Sequence, residues 1–339
     1  MAVRKPIVQV FGPLGTDIIT GLGNRFLGIT ITDAEGYDSD QAVIRIRARP
    51  PYHTAPAKGT KYTIFAGYDL ASMHLLGIYQ SETYRRSGNP DEGHIAEITC
   101  RAADFLDKMK AVDTKHYDKD NGHGTVGQIF DSLSKEAGTQ LSIAPSLRSI
   151  EMPYRLRHHQ SALDFASEIA DEIGAIVKPQ AGRLVVRERG KGTAAGGAAL
   201  PPIIIPFSGE YGYEVELEPR SDHKEVEGSF FDAAKGTVDR EKVESSGQKS
   251  RMQIPHPFAT KELAKLAAKA MGQQLQRFTG SASFQMAGNP TAQAGAQAIP
   301  VGYGPDVDGN QWEAETVTHD IEPETGWMTT VDCQTKAEN

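Results

Sequence analysis

Three stretches near the C-terminal end of the chain alternate, or nearly alternate, between apolar and polar residues, and this pattern constrains the fold most. They are Ser281–Pro290, Trp312–His319 and Gly326–Cys333. Each stretch is bounded by Gly, Pro, Asn or Asp, the residue types that tight turns use. A period of two places successive side chains on opposite faces of a strand. The pattern therefore predicts antiparallel strands joined by short turns.

A second set of short strands is predicted in the first 110 residues. Six runs carry the pattern: Ile7–Phe11, Phe26–Thr32, Ala42–Arg49, Tyr62–Ala66, Leu75–Tyr79 and Ile95–Arg101. The pair Pro50–Pro51 ends the third run, and a turn at residues 88–93 precedes the last. Short strands separated by turn residues indicate a barrel or a sandwich.

Helical spacing replaces the alternation near residue 113. Thr125 and Gln128 form a capping-box motif ahead of an apolar stripe, and Gly138 fits a C-terminal cap. A second helix is predicted to begin at Ser161 and to end at Gly174. A hairpin is predicted to follow, with strands at 175–178 and 184–187 around a turn at 180–183. Residues 113–190 are therefore predicted to form a small α+β domain.

Strands return after a Gly- and Ala-rich stretch at 190–202, which indicates a flexible linker or loop. Strands are predicted at 213–217 and 225–231, and a helix over 260–278. The polar residues 232–252 are interpreted as a mobile loop or insertion. The chain is thus predicted to be mainly β with α+β: a β-barrel domain at 1–112, the α+β domain at 113–190, a linker at 191–206 and a second β-barrel domain at 207–339. The two β units are candidates for one architecture used twice.

Length, charge and cysteine count exclude several classes of protein. A chain of 339 residues is too long to fold around one compact core, so more than one domain is expected. Its formal net charge of -8 argues against a general nucleic-acid binder, which needs a basic surface. Cys100 and Cys333 fall within strand-like runs and are predicted to be buried free thiols. No signal peptide or membrane span is predicted, so the chain is expected to be made and assembled in a cytoplasm.

No motif in the sequence predicts catalysis, a cofactor or a metal. His158–His159 are neighbours that point apart, so one metal is not expected to bind both. The loop Asn121–Gly124 lacks a phosphate-loop pattern and is interpreted as a turn. Asp306–Asn310 lacks the terminal Glu of a calcium loop and is interpreted as a hairpin turn. Asp171–Glu172 are expected on the wet face of their helix. The chain is therefore predicted not to be an enzyme.

Two groups of residues leave alternatives open. Arg45, Arg47 and Arg49 line one side of the third strand, as a solvated face or as a face that meets an acidic neighbouring chain. Trp312 and Trp327 fit a core or an interface, and they also fit a stacking platform of a carbohydrate-binding β protein. Burial of both rings would rule the platform out.

The order of motifs in two regions resembles the phage late control gene D family. Near the C-terminus the family's closing signature is matched by Leu275–Gly280, Phe284, Gly288–Pro290, Ala294–Gly295, Trp312, Val317, His319 and Thr329–Thr330. In the middle region it is matched by Thr125–Val126, Ile129, Ala137–Gly138, Gln160–Phe165, Ile169–Ala170, Gly174–Ala175 and Gly182–Val186. The matches span most of residues 110–339. The chain departs from the pattern at Arg157–His159, at Ala162 and in 232–252, which has no counterpart.

The resemblance implies a baseplate hub of a contractile phage tail, without a cofactor. It implies a homotrimer in which two tube-like β-barrels per chain form a ring of six, between a sixfold tail tube above and a threefold spike below. The implied partners are the tube protein, the spike protein and other baseplate proteins, in a virion assembled in the host cytoplasm. Strand edges are expected to pair across subunits. Viral DNA is expected to pass an acidic lumen without specific binding.

Three alternatives remain open. The first is the hub of a tailocin or of a type VI secretion spike complex, although the latter normally continues beyond the point where this chain ends at Asn339. The second is a tail-associated peptidoglycan hydrolase, for which no segment is expected to be spare. The third is the carbohydrate-binding β protein.

Overall fold

The computed structural model describes residues 5–36, 40–90, 93–102, 109–180, 183–217, 223–232, 234–244, 250–277 and 280–335. Parts of the predicted turns at 88–93 and 180–183 lie outside the described residues, as do the first four residues and part of the stretch 232–252. Within the described residues the chain is mainly β.

The N-terminal half of the main sheet consists of six neighbouring strands. They are β1 Ile7–Phe11, β2 Phe26–Ala34, β3 Gln41–Arg47, β4 Lys61–Gly67, β5 His74–Asn89 and β6 Gly93–Ala102. Their order across the sheet is β2-β3-β6-β5-β4-β1, and every neighbouring pair is antiparallel. All six predicted strands are confirmed, and β5 extends ten residues beyond Tyr79. A short helix, α1 (Ile18–Leu22), follows β1.

The C-terminal half contains six neighbouring strands of its own. They are β12 Ile203–Pro206, β13 Tyr213–Leu217, β17 Gly280–Ala287, β18 Gln297–Val301, β19 Trp312–Glu322 and β20 Gly326–Thr335. Their order is β13-β17-β20-β19-β18-β12. If the strands of each half are counted from one to six along the chain, both halves have the order 2-3-6-5-4-1. Only the last pair differs, because β12 and β18 are parallel whereas β1 and β4 are antiparallel.

The two halves join edge to edge into one sheet. Strand β19 pairs with β18 at its start, through Trp312 and Glu313, and then pairs with β2 from Thr316 to Ile321. Among the described residues the ladder does not close into a separate barrel on either side, so two closed barrels are not confirmed. The boundaries of the domains stay a prediction.

Each half nevertheless has its own hydrophobic core. The N-terminal core contains Ile29, Ile44, Ile64 and Ile98, and the C-terminal core contains Phe284, Trp312, Val317 and Val331. Two residues of the C-terminal half, Ile321 and Trp327, belong to the N-terminal core. Packing therefore crosses the joint between the halves, as the hydrogen bonds do.

Between the halves, the chain forms helices and two small sheets. The predicted helices are confirmed as α2 (Val126–Ala137) and α4 (Ala162–Glu172), with the Thr125–Gln128 capping box and a left-handed Gly138 in place. The predicted hairpin is confirmed as β10 (Ala175–Gln180) and β11 (Arg183–Glu188), and β8 (Gln140–Ile143) pairs parallel with β11. The helix α3 (Pro145–Arg148) and the pair β7 (Val112–Tyr117) and β9 (Arg155–Ser161) were not predicted.

The interpretation of 232–252 as a loop is wrong. Strand β14 (His223–Asp232) pairs with β15 (Thr237–Glu244) and with β16 (Ser250–Gln253) in a three-stranded sheet. On one face, Val226 packs against the predicted helix, confirmed as α5 (Lys261–Arg277). On the other face, Lys242 and Arg251 lie 3.2 Å from Glu227 and 3.1 Å from Glu225. Cross-strand charge pairs stabilise strands that lack an apolar pattern.

Candidate functional site

The described residues contain no group of three or more His, Cys, Asp or Glu side chains that could hold a metal ion. The prediction that His158 and His159 point apart is wrong: their rings lie 4.6 Å apart on β9, where His159 has a positive φ of 47°. No third ligand joins them in the part of the chain that the structure describes. Cys100 and Cys333 are buried free thiols, as predicted, and burial raises the pKa of both. The geometry of the sheet joint and of the sheet edges is the better candidate for function.

The joint between the halves is an antiparallel pairing of β2 with β19. Ile31 lies opposite His319 and Thr30 lies opposite Asp320. The hydroxyl group of Thr30 donates a 2.7 Å hydrogen bond to Asp320. At the end of the joint, Arg45 lies 2.7 Å from Glu322. Main-chain pairing, a side-chain hydrogen bond and an ion pair thus hold the two halves in one register.

A buried ion cluster covers the other end of the joint. The ammonium group of Lys178, on β10, lies 2.5 Å from Asp33 and 2.6 Å from Asp40. It also donates a 2.6 Å hydrogen bond to the carbonyl oxygen of Ala34. Asp33 in turn accepts a hydrogen bond from the Ala294 amide, which is in the C-terminal half. Lys178 therefore ties the middle region to the N-terminal half of the sheet, and Asp33 extends the cluster to the C-terminal half.

The pKa values of the two carboxyl groups in this cluster are shifted in opposite directions. Burial and the neighbouring Asp33 raise the pKa of Asp40 to about 7. Burial also opposes ionisation of Asp33, yet the Lys178 ammonium lowers the pKa of Asp33 below its usual value. One cation cannot compensate the negative charge of two buried carboxylates, so the pKa of one carboxyl group is lowered and the pKa of the other is raised.

A second cation from the middle region reinforces the cluster. Arg187, on β11, lies 3.2 Å from Glu35 and donates a hydrogen bond to the carbonyl oxygen of Ala294. Its guanidinium occupies the space that a side chain at Gly295 would need, and Gly295 has a positive φ of 80°. Sequence reasoning missed Asp33, Asp40, Lys178 and Arg187. Charged residues inside otherwise buried strands, as in β10 and β11, were the available signal.

His319 lies buried beside this cluster. Its Nδ1 atom is 3.0 Å from the hydroxyl oxygen of Thr329, and Trp327 donates to the same nitrogen at 3.4 Å. Burial lowers the pKa of His319 to about 4. The side chain is therefore neutral at pH 7 and acts as a hydrogen-bonded core residue.

The free edges of the sheet lie elsewhere. Strand β13 pairs only with β17 among the described strands, and β12 pairs only with β18. Next to them is a group of aromatic side chains: the rings of Phe207, Tyr213 and Tyr303 contact one another at 4.9–6.1 Å. Phe207 and Tyr213 are about half exposed, and Ile204 and Val301 nearby are exposed as well. An unpaired edge beside exposed apolar side chains is typical of an interface with another chain.

The other candidate residues take structural positions. Arg45 pairs with Glu322 of its own chain, and Arg49 donates to Asn24, so a contact of this strip with a neighbouring chain gains no support from these two residues. Glu172 is not on a wet face, since it is mostly buried in an ion pair with Arg155. Asp306 and Asp308 belong to the one-turn helix α6 (Pro305–Asp308) and not to a tight hairpin turn. The Asp308 side chain accepts from the Gly302 and Tyr303 amides.

Both tryptophan rings are buried. Trp312 is 0% exposed and its indole N–H donates to the carbonyl oxygen of Val307, while Trp327 is 6% exposed and stacks on Tyr68. The carbohydrate-stacking platform is therefore ruled out. Residues Asn121–Gly124 form a turn closed by Asp118, as predicted.

A cleft of about 550 Å³ separates α3 and the end of β11 from α5. Its lining includes the apolar residues Leu147, Ile150 and Leu266 and the basic residues Lys191 and Lys269. In the described part of the chain, no helix is both long and apolar enough to cross a membrane.

Relatives in sequence are phage proteins, although no family model matches the chain. The chain is 23% identical, over 257 residues, to the probable baseplate hub protein of Escherichia phage 186, covering 75% of this chain and 64% of the relative. It is 25% identical, over 193 residues, to the probable baseplate hub protein of Escherichia phage P2, covering 57% and 48%. The matched region thus spans between about half and two thirds of these curated relatives.

Solved structures share the fold over nearly the whole chain. The 43 kDa tail protein of prophage MuSo2 from Shewanella oneidensis has a TM-score of 0.68 at 13% identity and covers 97% of this chain and 98% of its own. The tail protein from Neisseria meningitidis MC58 has a TM-score of 0.68 at 12% identity, covering 97% and 96%. An Escherichia coli component of the type VI secretion system has a TM-score of 0.56 at 8% identity, covering 92% and 74%. The chain therefore has the fold of these tail proteins and is similar in sequence to two probable baseplate hub proteins of phages.

Proposed function

We propose that the chain is the structural hub of a contractile phage tail, located in the baseplate of the virion. The observation that carries this proposal is the repeated strand order 2-3-6-5-4-1 in the two halves of one chain. The relatives from phages 186 and P2 support it, because both are probable baseplate hub proteins. A chain with two similar units can present twice as many equivalent surfaces as there are copies.

The repeat resolves a mismatch of symmetry if the hub is a homotrimer. Three copies supply six similar units, which face a sixfold tail tube above, while the threefold arrangement of whole chains faces a spike below. In this proposal each six-stranded half corresponds to one tube-like barrel, completed by strands from its neighbours. Other baseplate proteins bind around the ring.

Function in this proposal comes from contact and not from catalysis. The buried ion pairs of Lys178 with Asp33 and Asp40 hold the middle region on the N-terminal half of the sheet, and the hydrogen bond from Ala294 to Asp33 reaches the C-terminal half. The net charge of -8 suits the wall of a channel, because like charge keeps viral DNA from binding as it passes. A basic lumen in the assembled ring would contradict this part.

The first test is the solution mass, measured by light scattering behind a sizing column. We expect a mass of three times 36.7 kDa, and electron micrographs of the same fraction should show a ring with six lobes. The run is repeated with the spike protein of the same phage, since the spike can template the trimer. A monomer in both runs would overturn the trimeric hub.

The secretion-system alternative shares only the fold, through the type VI component at 8% identity. The relatives in sequence favour the phage particle. Antibody labelling of purified particles separates the two: we expect label at the baseplate end of a contractile phage tail. Label that is absent from virions and present on the secretion apparatus would support the alternative.

A further inference from the structure

The two halves of the sheet have the same strand order, so the β2–β19 joint inside the chain is a model for how two copies of the chain could join. Counted along each half, β2 and β13 are both second strands, and β5 and β19 are both fifth strands. The joint inside the chain is thus a pairing of the second strand of one half with the fifth strand of the other. The complementary pair, β13 with β5, makes no such contact among the described residues of one chain.

The fifth strands of the two halves are built alike. Strand β19 pairs with β18 at its start, has an irregularity between Ala314 and Thr316, and then pairs with β2. Strand β5 pairs with β4 as far as Gln80, has an irregularity between Ser81 and Thr83, and then pairs with β6 alone among the described strands. The side of β5 beyond Thr83 is therefore open where the equivalent side of β19 carries β2.

We propose that β13 of one copy pairs antiparallel with residues Thr83–Ser87 of β5 in the next copy. This pairing repeats the β2–β19 joint between chains and closes the ring. It rests on the trimeric hub proposed above, and it adds which two strands meet and in which register.

The ladders fix the register of this joint. Thr83 and Thr316 occupy equivalent positions, because each directly follows the irregularity in the fifth strand of its half. Residues paired in turn across strands six, three and two lead from Thr83 to Thr30 in the N-terminal half. The same path leads from Thr316 to Glu214 in the C-terminal half. In the β2–β19 joint, Thr30 lies opposite Asp320, which is four residues after Thr316. Glu214, the counterpart of Thr30, is therefore placed opposite Ser87, which is four residues after Thr83. The resulting pairs are Glu214 with Ser87, Val215 with Arg86, Glu216 with Arg85, and Leu217 with Tyr84.

Two of the four pairs in this register are complementary, Glu216 with Arg85 and Leu217 with Tyr84. Glu216 and Arg85 are exposed and have opposite charge on the same face of the sheet. Glu97 lies opposite Arg85 on β6, so the Arg85 cation would lie between the carboxylates of Glu97 and of Glu216 from the next copy. On the other face, Leu217, 42% exposed, meets the half-buried Tyr84, which packs against the N-terminal core. A slip by one residue would turn every pair to the wrong face.

A pair of cysteines tests the register directly. In the variant Glu216→Cys with Arg85→Cys, mild oxidation should link neighbouring copies, because directly opposed residues have a Cα separation that a disulfide can span. Native Cys100 and Cys333 are buried and do not compete. We expect a covalent trimer on a non-reducing gel. The register control, Glu216→Cys with Tyr84→Cys, places the thiols on opposite faces and should stay unlinked.

Charge reversal gives a second readout without cysteines. Glu216→Arg places two cations together and should raise the concentration at which the trimer dissociates by about tenfold or more. Combining it with Arg85→Glu should restore the wild-type mass. A trimer that forms without the disulfide and is insensitive to both reversals would overturn this strand pairing and leave the hub intact. A monomeric wild-type protein, with or without the spike, would overturn both.

Discussion

Lys178, on β10 of the middle region, is buried against Asp33 and Asp40 of the N-terminal half of the sheet. Replacing it with Met keeps the length of the side chain and leaves Asp33 and Asp40 buried without their cation. We expect Lys178→Met to lower the free energy of unfolding by about 3–5 kcal/mol, because the two buried carboxyl groups lose the ammonium group that compensates their charge. Denaturant unfolding, followed by circular dichroism, measures the change.

Lys191→Met is the matched control for this prediction. Lys191 is 57% exposed and pairs with Glu188 near the surface, where an ion pair contributes about 0–1 kcal/mol. Equal losses in the two variants would show that the buried cluster has no special role in stability.

His319 gives the same region a dependence on pH. Its pKa is about 4 in the folded chain, below the ordinary value of about 6.5. Between these values the unfolded chain binds a proton at His319 that the folded chain does not bind. The contribution of neutral His319 to stability is therefore fully present above pH 6.5 and is lost as the pH falls toward 4. We expect the wild type to lose up to about 3 kcal/mol relative to His319→Gln across this interval.

The measurement is a series of denaturant titrations of both proteins between pH 4 and pH 7.5. Their difference removes the contribution of groups that titrate alike in both. The neighbouring Asp40, with a pKa of about 7, acts with the opposite sign, because its protonation favours the folded state. A constant difference between wild type and variant across the interval would contradict the assignment to His319.

At the scale of strands and helices, the sequence was informative for most elements with one buried face. Strands β12 and β18 also have one buried face and were missed, because both are short and β12 follows the Gly- and Ala-rich stretch that was predicted to be a linker. The alternation in β3 and β20 and the stripe in α2 predicted those elements because each has one apolar face. The polar strands β7, β15 and β16 escaped detection because charge pairs and cross-strand contacts, which depend on the fold, hold them. The ion cluster was missed for the same reason: Asp33 and Lys178 are 145 residues apart.

Gly228 allows α5 to lie directly on β14. A methyl group at this position would overlap the backbone oxygen of Ala264 in α5. We expect Gly228→Ala to destabilise the chain by about 1–3 kcal/mol, because the helix must move away from the strand. Thermal unfolding of the variant measures the loss.

Gly209→Ala serves as the control for this substitution. Its added methyl group meets no atom within 4 Å, so the change should be within about 0.5 kcal/mol of zero. A Gly228→Ala variant as stable as this control would contradict the close packing of α5 on β14.

On the scale of the whole molecule, the two halves share one sheet while keeping two cores. The sequence predicted two β units, and it could not show that β2 and β19 pair, because no local pattern records which distant strand is the neighbour. The consequence is mutual dependence. Without the C-terminal half, the N-terminal core loses Ile321 and Trp327, and the edge of β2 is exposed.

This dependence predicts how fragments behave. Residues 1–190 produced alone should lack a cooperative thermal transition and should aggregate, because an unpaired, largely apolar strand edge is open to other chains. Coexpression with residues 191–339 should restore a soluble complex, since the hydrogen bonds between β2 and β19 do not require a continuous chain. The measurements are calorimetry and the mass of the copurified complex. If fragment 1–190 were monomeric with a sharp transition of its own, the halves would be independent and the shared core would contribute little to stability.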